Sequence, residues 1–190
     1  TLLLAGMAVS SFLGAVITAL LLATEEFPAV HALLSWLIGG LRGRGWPYFW
    51  VLIGPVIASL ALLGFFARDM NLLLLGEETA QGLGVNVRRT RFILLVLASL
   101  ATGAAVSIAG PIGFVGLVVP HMLRLIVGPD YRLLLPGSAL GGAFFLVAAD
   151  TVARLVIQPA ELNVGVITAL LGAPFFTYLL YRNRRMIRTL

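Results

Sequence analysis

The sequence predicts an all-α fold, a polytopic bundle of transmembrane helices, and three observations predict it. The chain of 190 residues is 60% hydrophobic and only 11% charged, with a mean hydropathy of +1.04, so too few polar side chains exist to cover a water-soluble core. Its apolar residues fall into long uncharged runs, several near the ~20 residues that a helix needs to cross about 30 Å of hydrocarbon. All 13 basic residues are arginine and stand mostly at the ends of those runs, the pattern that orients helices in a bilayer.

Residues 1–24 carry no charge and form the first predicted span. Gly6, Ser10, Gly14 and Thr18 recur every four residues and give one smooth, mildly polar face. Such a face serves close helix packing or lines a pathway. Because the chain begins on Thr1 in the middle of this run, it reads as the C-terminal portion of a longer protein. Residues 25–45 form a connector: Glu25 and Glu26, Pro28, a short amphipathic piece through Trp36, then Gly39–Gly45 as GGLRGRG. Trp36, Trp46, Tyr48 and Trp50 suit interfacial anchoring. Residues 46–67 are the second span, with a kink expected at Gly54-Pro55, and Arg68 and Asp69 end it.

Residues 92–123 contain no Asp, Glu, Lys or Arg. A straight helix of that length would reach about 48 Å, too long for one crossing. The stretch GPIGFVG at 110–116 breaks it, since Pro111 and clustered glycines cannot be regular helix interior. Arginines flank both ends, so the run goes out and returns: one helix over 92–109 and a short, irregular return over 112–126. Irregular backbone at membrane depth survives only within protein or along a cavity. Residues 133–149 are the fifth span, with Gly137 and Gly141, ending at Asp150–Arg154. A turn at 158–161 leads to the sixth span, 162–181, with small residues Gly165, Ala169, Gly172 and Ala173, and then to an arginine tail. This topology sets ten arginines inside, from Arg68 to Arg188, and only Arg42, Arg44 and Arg154 outside.

Between the second and third spans lies a polar island, residues 70–91, MNLLLLGEETAQGLGVNVRRTR. It reads as two short helical pieces, 72–75 continuing into 77–83, followed by a turn broken by Gly82 and Gly84. A folded platform on the cytoplasmic side, offered to a partner, and a solvated loop are both open on composition alone. The whole of 1–190 is read as one membrane domain, with 70–91 as a segment within it.

No catalytic constellation stands out. The absence of cysteine removes disulfide and thiol chemistry, and the absence of lysine removes a Walker A loop. His31 and His121 stand alone and make no metal site. The arginines flank apolar runs rather than surface aromatics, which argues against nucleic acid. Asp150 and Arg154, four residues apart, can pair on one helix face, as a plain salt bridge or a functional group near a span.

The run LLLLGEETAQGLGVNV, then AGPIGFVGLVVPHMLRLIVGPDYRLLLPGSALGGAFFLVAADTVAR, then ELNVGVITALLGAPFF closely resembles the FecCD-type permeases. These are membrane subunits of bacterial ATP-binding-cassette importers for iron–siderophore complexes, haem and vitamin B12. The resemblance implies about ten helices with inverted repeats, of which this chain holds the last six. It implies that 70–91 is the coupling segment that meets the ATPase, through Gly76, Glu77, Ala80, Gly82, Leu83 and Gly84. It makes Arg154 of DTVAR an outward arginine that receives a carboxylate of the substrate-binding protein, and Gly6, Ser10, Gly14, Gly165, Ala169 and Gly172 pathway-lining.

The expected function is therefore that of a permease subunit carrying an iron chelate, haem or a corrinoid across the bacterial cytoplasmic membrane, with the C-terminus inside. The expected partners are a second permease subunit as a homodimer, two ATP-binding subunits and an extracytoplasmic binding protein. No cofactor is expected on this chain, and ATP is used by the partner subunit. The competing class is an ion-coupled secondary transporter, which calls for an ionisable group at the midplane, and no span carries one at its centre.

Overall fold

A computed structural model describes residues 2–23, 27–157 and 162–187. The helices are α1 Leu2–Ala23, α2 Phe27–Ile38, α3 Trp46–Phe65, α4 Ala67–Leu73, α5 Glu77–Gly82, α6 Val87–Ala109, α7 Val115–Val127, α8 Tyr131–Val156 and α9 Val164–Ile187. No strand occurs among the described residues. The turn expected at 158–161 and the acidic pair Glu25 and Glu26 lie outside them.

The chain forms two compact units, residues 1–37 and 38–190. In the first, α1 is apolar on every side, and Leu4, Phe12 and Leu22 all stand exposed. A helix that is hydrophobic all round belongs in lipid or against other protein.

In the second unit, α3 opens on Pro47 in its first turn, where the missing N–H costs nothing. Trp46, Phe49 and Trp50 meet edge to face at 5.6 and 5.3 Å. The helix runs on through Gly54-Pro55. Prolines also sit inside α7, α8 and α9, which membrane helices tolerate because neighbouring groups satisfy the freed carbonyls. Helix α3 packs on α6, and α7 packs on α8 and α9. Ala149 and Ala153 of α8 meet Val164 and Ile167 of α9 in a small buried core, which Leu41, Ile112 and Leu162 flank.

Among the described residues, four helices are long and apolar enough to cross a membrane: Leu4–Ala23, Trp46–Phe65, Val87–Ala109 and Tyr131–Val156. Helix α7, with 13 residues, and the apolar part of α9, Val164–Leu179, are shorter than that. The boundaries also move. The helix expected from 92 begins at Val87, because Asn86 caps it by accepting the Arg89 N–H at 3.1 Å. The fifth expected span is longer than 133–149: α8 starts behind Asp130 and continues to Val156, so Asp150 and Arg154 lie in its closing turns, Arg154 in the last. The first piece of the polar island begins at Ala67, not residue 72, and finishes at Leu73.

Candidate functional site

The polar island is a folded unit with its own small core. Ala80 is fully buried with Val85 and Val87, and Leu72 and Leu73 of α4 close over them. Helix α5 is entered and left through glycines. Gly76, at φ +106 and ψ 155, occupies a region that is essentially glycine's alone. At the other end Gly84 has φ +88. Its N–H donates to the Gln81 carbonyl at 2.9 Å, and the Val85 N–H donates to the Ala80 carbonyl at 3.0 Å. These two bonds, with Val85 packed on Ala80, make a Schellman closure.

The six expected coupling residues therefore divide by what they do. Gly76, Gly84 and Ala80 build the unit. Gly82 is the last residue of α5, in open space, rather than part of the turn itself. Glu77 is half exposed and pairs with Arg91 at 2.5 Å, a contact worth little at such exposure. Leu83 is 56% exposed at the rim, a large apolar side chain with no core to enter.

Two side-chain links join α4 to the long helices. Thr90 of α6 donates to Asp69 at 3.5 Å. Asn71 makes two stronger bonds, donating to Asp130 at 2.6 Å and accepting the Tyr131 N–H at 2.9 Å. Asp130 also caps α8 by accepting the Arg132 N–H at 2.9 Å. That N–H, then the Asn71 amide, then the Arg132 charge hold the Asp130 carboxyl below its ordinary value. Arg124 lies over the Tyr131 ring at 5.8 Å.

Towards the other end of α8, Arg154 Nε donates to Asp150 at 2.7 Å, so the expected pair forms. Both line a narrow cleft with Gly40, Arg42 and Asn163. The pathway residues behave differently from one another. Gly6 and Gly14 face open space, and Ser10 is exposed beside them. Gly165 and Gly172 are contact glycines: a Cβ on Gly165 would strike the Ile38 carbonyl, and one on Gly172 would strike Phe114. Ala169 and Gly165 line an open, apolar groove of about 580 Å³ with Ile38, Val166, Ala173 and Pro174. Phe114 enters its contact from a left-handed backbone, φ 67 and ψ −26, a strain of about 1–3 kcal/mol that the packing must offset. His121 meets Phe175 edge to face at 6.4 Å, a packing contact. Among the described residues no group of His, Cys, Asp and Glu could hold a metal ion.

The family model of the FecCD transport family matches residues 1–182. The chain belongs to that family. It is 54% identical over 98% of its length to the cobalamin import system permease protein BtuC of Halobacterium salinarum, covering 49% of that protein. It is 44% identical over 96% of its length to the hemin transport system permease protein HmuU of Yersinia pestis, covering 54% of it. Among solved structures, an inward-facing metal-chelate type ABC transporter superposes with a TM-score of 0.86 at 32% identity, over 93% of this chain and 57% of that one. The FecCD chain thus spans about half the length of the curated relatives it matches. The ion-coupled alternative finds no support in these matches.

Several residues of the site escaped sequence reasoning. Asp130 had a signal, an acidic residue directly before a helical run. Asn71 had none, since its partners lie 59 and 60 residues away. Phe114 was visible only as part of a glycine-rich stretch.

Proposed function

We propose that this FecCD chain is part of the permease subunit of an ATP-binding-cassette importer that carries an iron chelate, haem or a corrinoid across the cytoplasmic membrane. The observation that carries this reading is the α4–α5 unit: a compact polar platform linked by side-chain hydrogen bonds to α6 and α8. A rigid body so linked passes a push from below into the long helices as movement of whole elements. The relatives' named cargoes, cobalamin and hemin, suggest the substrate class.

In this reading the protein has six spans here within about ten, built as inverted repeats, with the C-terminus inside. Two ATP-binding subunits sit beneath Leu83 and its neighbours, a second permease subunit completes the pathway, and a binding protein docks at Arg154. Residues 70–91 form the coupling segment of a single permease domain.

A cysteine in place of Leu83, in a cysteine-free full-length background, tests the contact. The reading expects a crosslink from that position to the ATP-binding subunit in the assembled transporter. Crosslinking only from residues on the far side of α8 would overturn it.

A further inference from the structure

We propose that Arg68, Arg88 and Arg132 form a headgroup site for an anionic lipid, holding its phosphate where α3, α6 and α8 leave the hydrocarbon. That this leaflet is the cytoplasmic one rests on the topology proposed above.

Three elements bring these arginines to one end of the bundle. Helix α4 carries Arg68 and starts directly behind α3. Its Asp69 accepts from Thr90 in the first turn of α6, two residues after Arg88. Its Asn71, three residues after Arg68 and so on the same helix face, holds Asp130 and the Tyr131 N–H at the start of α8. Arg132 follows at once. Helix α4 is thus a crosspiece that fixes the three backbones relative to one another before a ligand arrives, which leaves less freedom to lose on binding.

Charge and placement name the ligand. Residues 67–132 hold six arginines and four carboxylates, and three of those carboxylates are already engaged: Glu77 with Arg91, Asp69 with Thr90, and Asp130 with Asn71 and the Arg132 N–H. Among the described residues, the guanidinium groups of Arg68, Arg88 and Arg132 enter no hydrogen bond and no ion pair. All three side chains are exposed. Beside each stands a large apolar side chain that is exposed too: Phe65 at the end of α3, Phe92 four residues after Arg88, and Leu133 next to Arg132. An acidic protein surface would satisfy the arginines alone. A lipid satisfies both, with its chains against the apolar side chains and its phosphate against the guanidinium forks. The negative potential of an anionic leaflet draws basic residues at such a position.

The test counts lipids retained by the full-length permease–ATPase complex, released into native mass spectrometry from nanodiscs of phosphatidylcholine with phosphatidylglycerol. Both leaflets carry the anionic lipid, so the result does not depend on orientation. Arg68→Gln with Arg132→Gln is expected to lower phosphatidylglycerol retention about tenfold or more, and Arg88→Gln alone about fivefold, with phosphatidylcholine unchanged. Arg68→Lys with Arg132→Lys should keep most of it, since an ammonium still meets a phosphate. If the double glutamine variant does not assemble, the single variants decide. Wild-type phosphatidylglycerol retention by the glutamine variants, or an equal loss of phosphatidylcholine, overturns the proposal. Unchanged retention with a weaker hold on the ATP-binding subunit also overturns it and marks a protein interface. Labelling of Met70→Cys only from outside the cell removes the topology reading alone and leaves the lipid site standing.

Discussion

Asn71 donates to Asp130 at 2.6 Å, joining the short helix α4 to the first turn of α8. The same amide accepts the Tyr131 N–H, so one side chain uses both of its faces to fix two successive residues. Helix α8 then runs to Val156, about 39 Å at 1.5 Å per residue. One continuous element therefore connects the platform with the Asp150–Arg154 pair.

This joint predicts a coupling defect. Asn71→Ala leaves the platform folded, because the Ala80, Val85 and Val87 core does not involve Asn71, but frees it from α8. Uptake per ATP hydrolysed should fall severalfold while hydrolysis continues, as measured in proteoliposomes. The joint also has a pH dependence. A carboxyl whose folded pKa is depressed stabilises the fold above its unfolded value, and that contribution is lost as pH falls through the folded value. Asp130 is such a group, so the joint is intact at neutral pH and weakens on acidification below the ordinary carboxylate range. Thermal melts across that range should show the wild type losing more stability than Asp130→Asn.

Gly84→Val should strain the Schellman closure by about 1–2 kcal/mol or more, since a left-handed backbone is costly for a branched side chain. Gly82→Ala, at a helical position in open space, should be near neutral. Uptake assays on both variants check the pair: loss in the first and retention in the second are expected.

Gly172→Ala should cost about 1–3 kcal/mol by overpacking against Phe114. Gly103→Ala is the control, because Gly103 lies inside α6 with open space around it and alanine is the better helix former by about 1 kcal/mol. The melting temperature is expected to drop for the first and to hold or rise for the second.

Single cysteines at Gly6, Ser10 and Gly14 should react with water-soluble thiol reagents in the assembled transporter if this face of α1 lines the route. Protection of all three in every nucleotide state would assign the face to helix packing.

The membrane character was legible because hydropathy and arginine placement obey the bilayer directly. The break at 110–116 was legible because glycine and proline punctuate the chain locally, whereas composition left 70–91 open between a folded platform and a solvated loop. Helix ends were less so: Asn86 and Asp130 extend α6 and α8 past their apolar runs through capping bonds, which hydropathy does not register. The pairing of Asp150 with Arg154 follows from helical spacing alone. The meeting of Asn71 with Asp130 and of Phe114 with Gly172 depends on how distant segments pack, and no local pattern encodes that. Gly165 and Gly172 illustrate the ambiguity, since a small residue in a span reads equally as a lining or as a contact.

The most direct measurement is uptake of labelled cobalamin, hemin or a ferric chelate into proteoliposomes holding the full-length permease with its ATP-binding subunits and binding protein. The account predicts accumulation of one of these cargoes that requires ATP and persists when ionophores collapse the ion gradients. Accumulation driven by an ion gradient in the absence of ATP would contradict it.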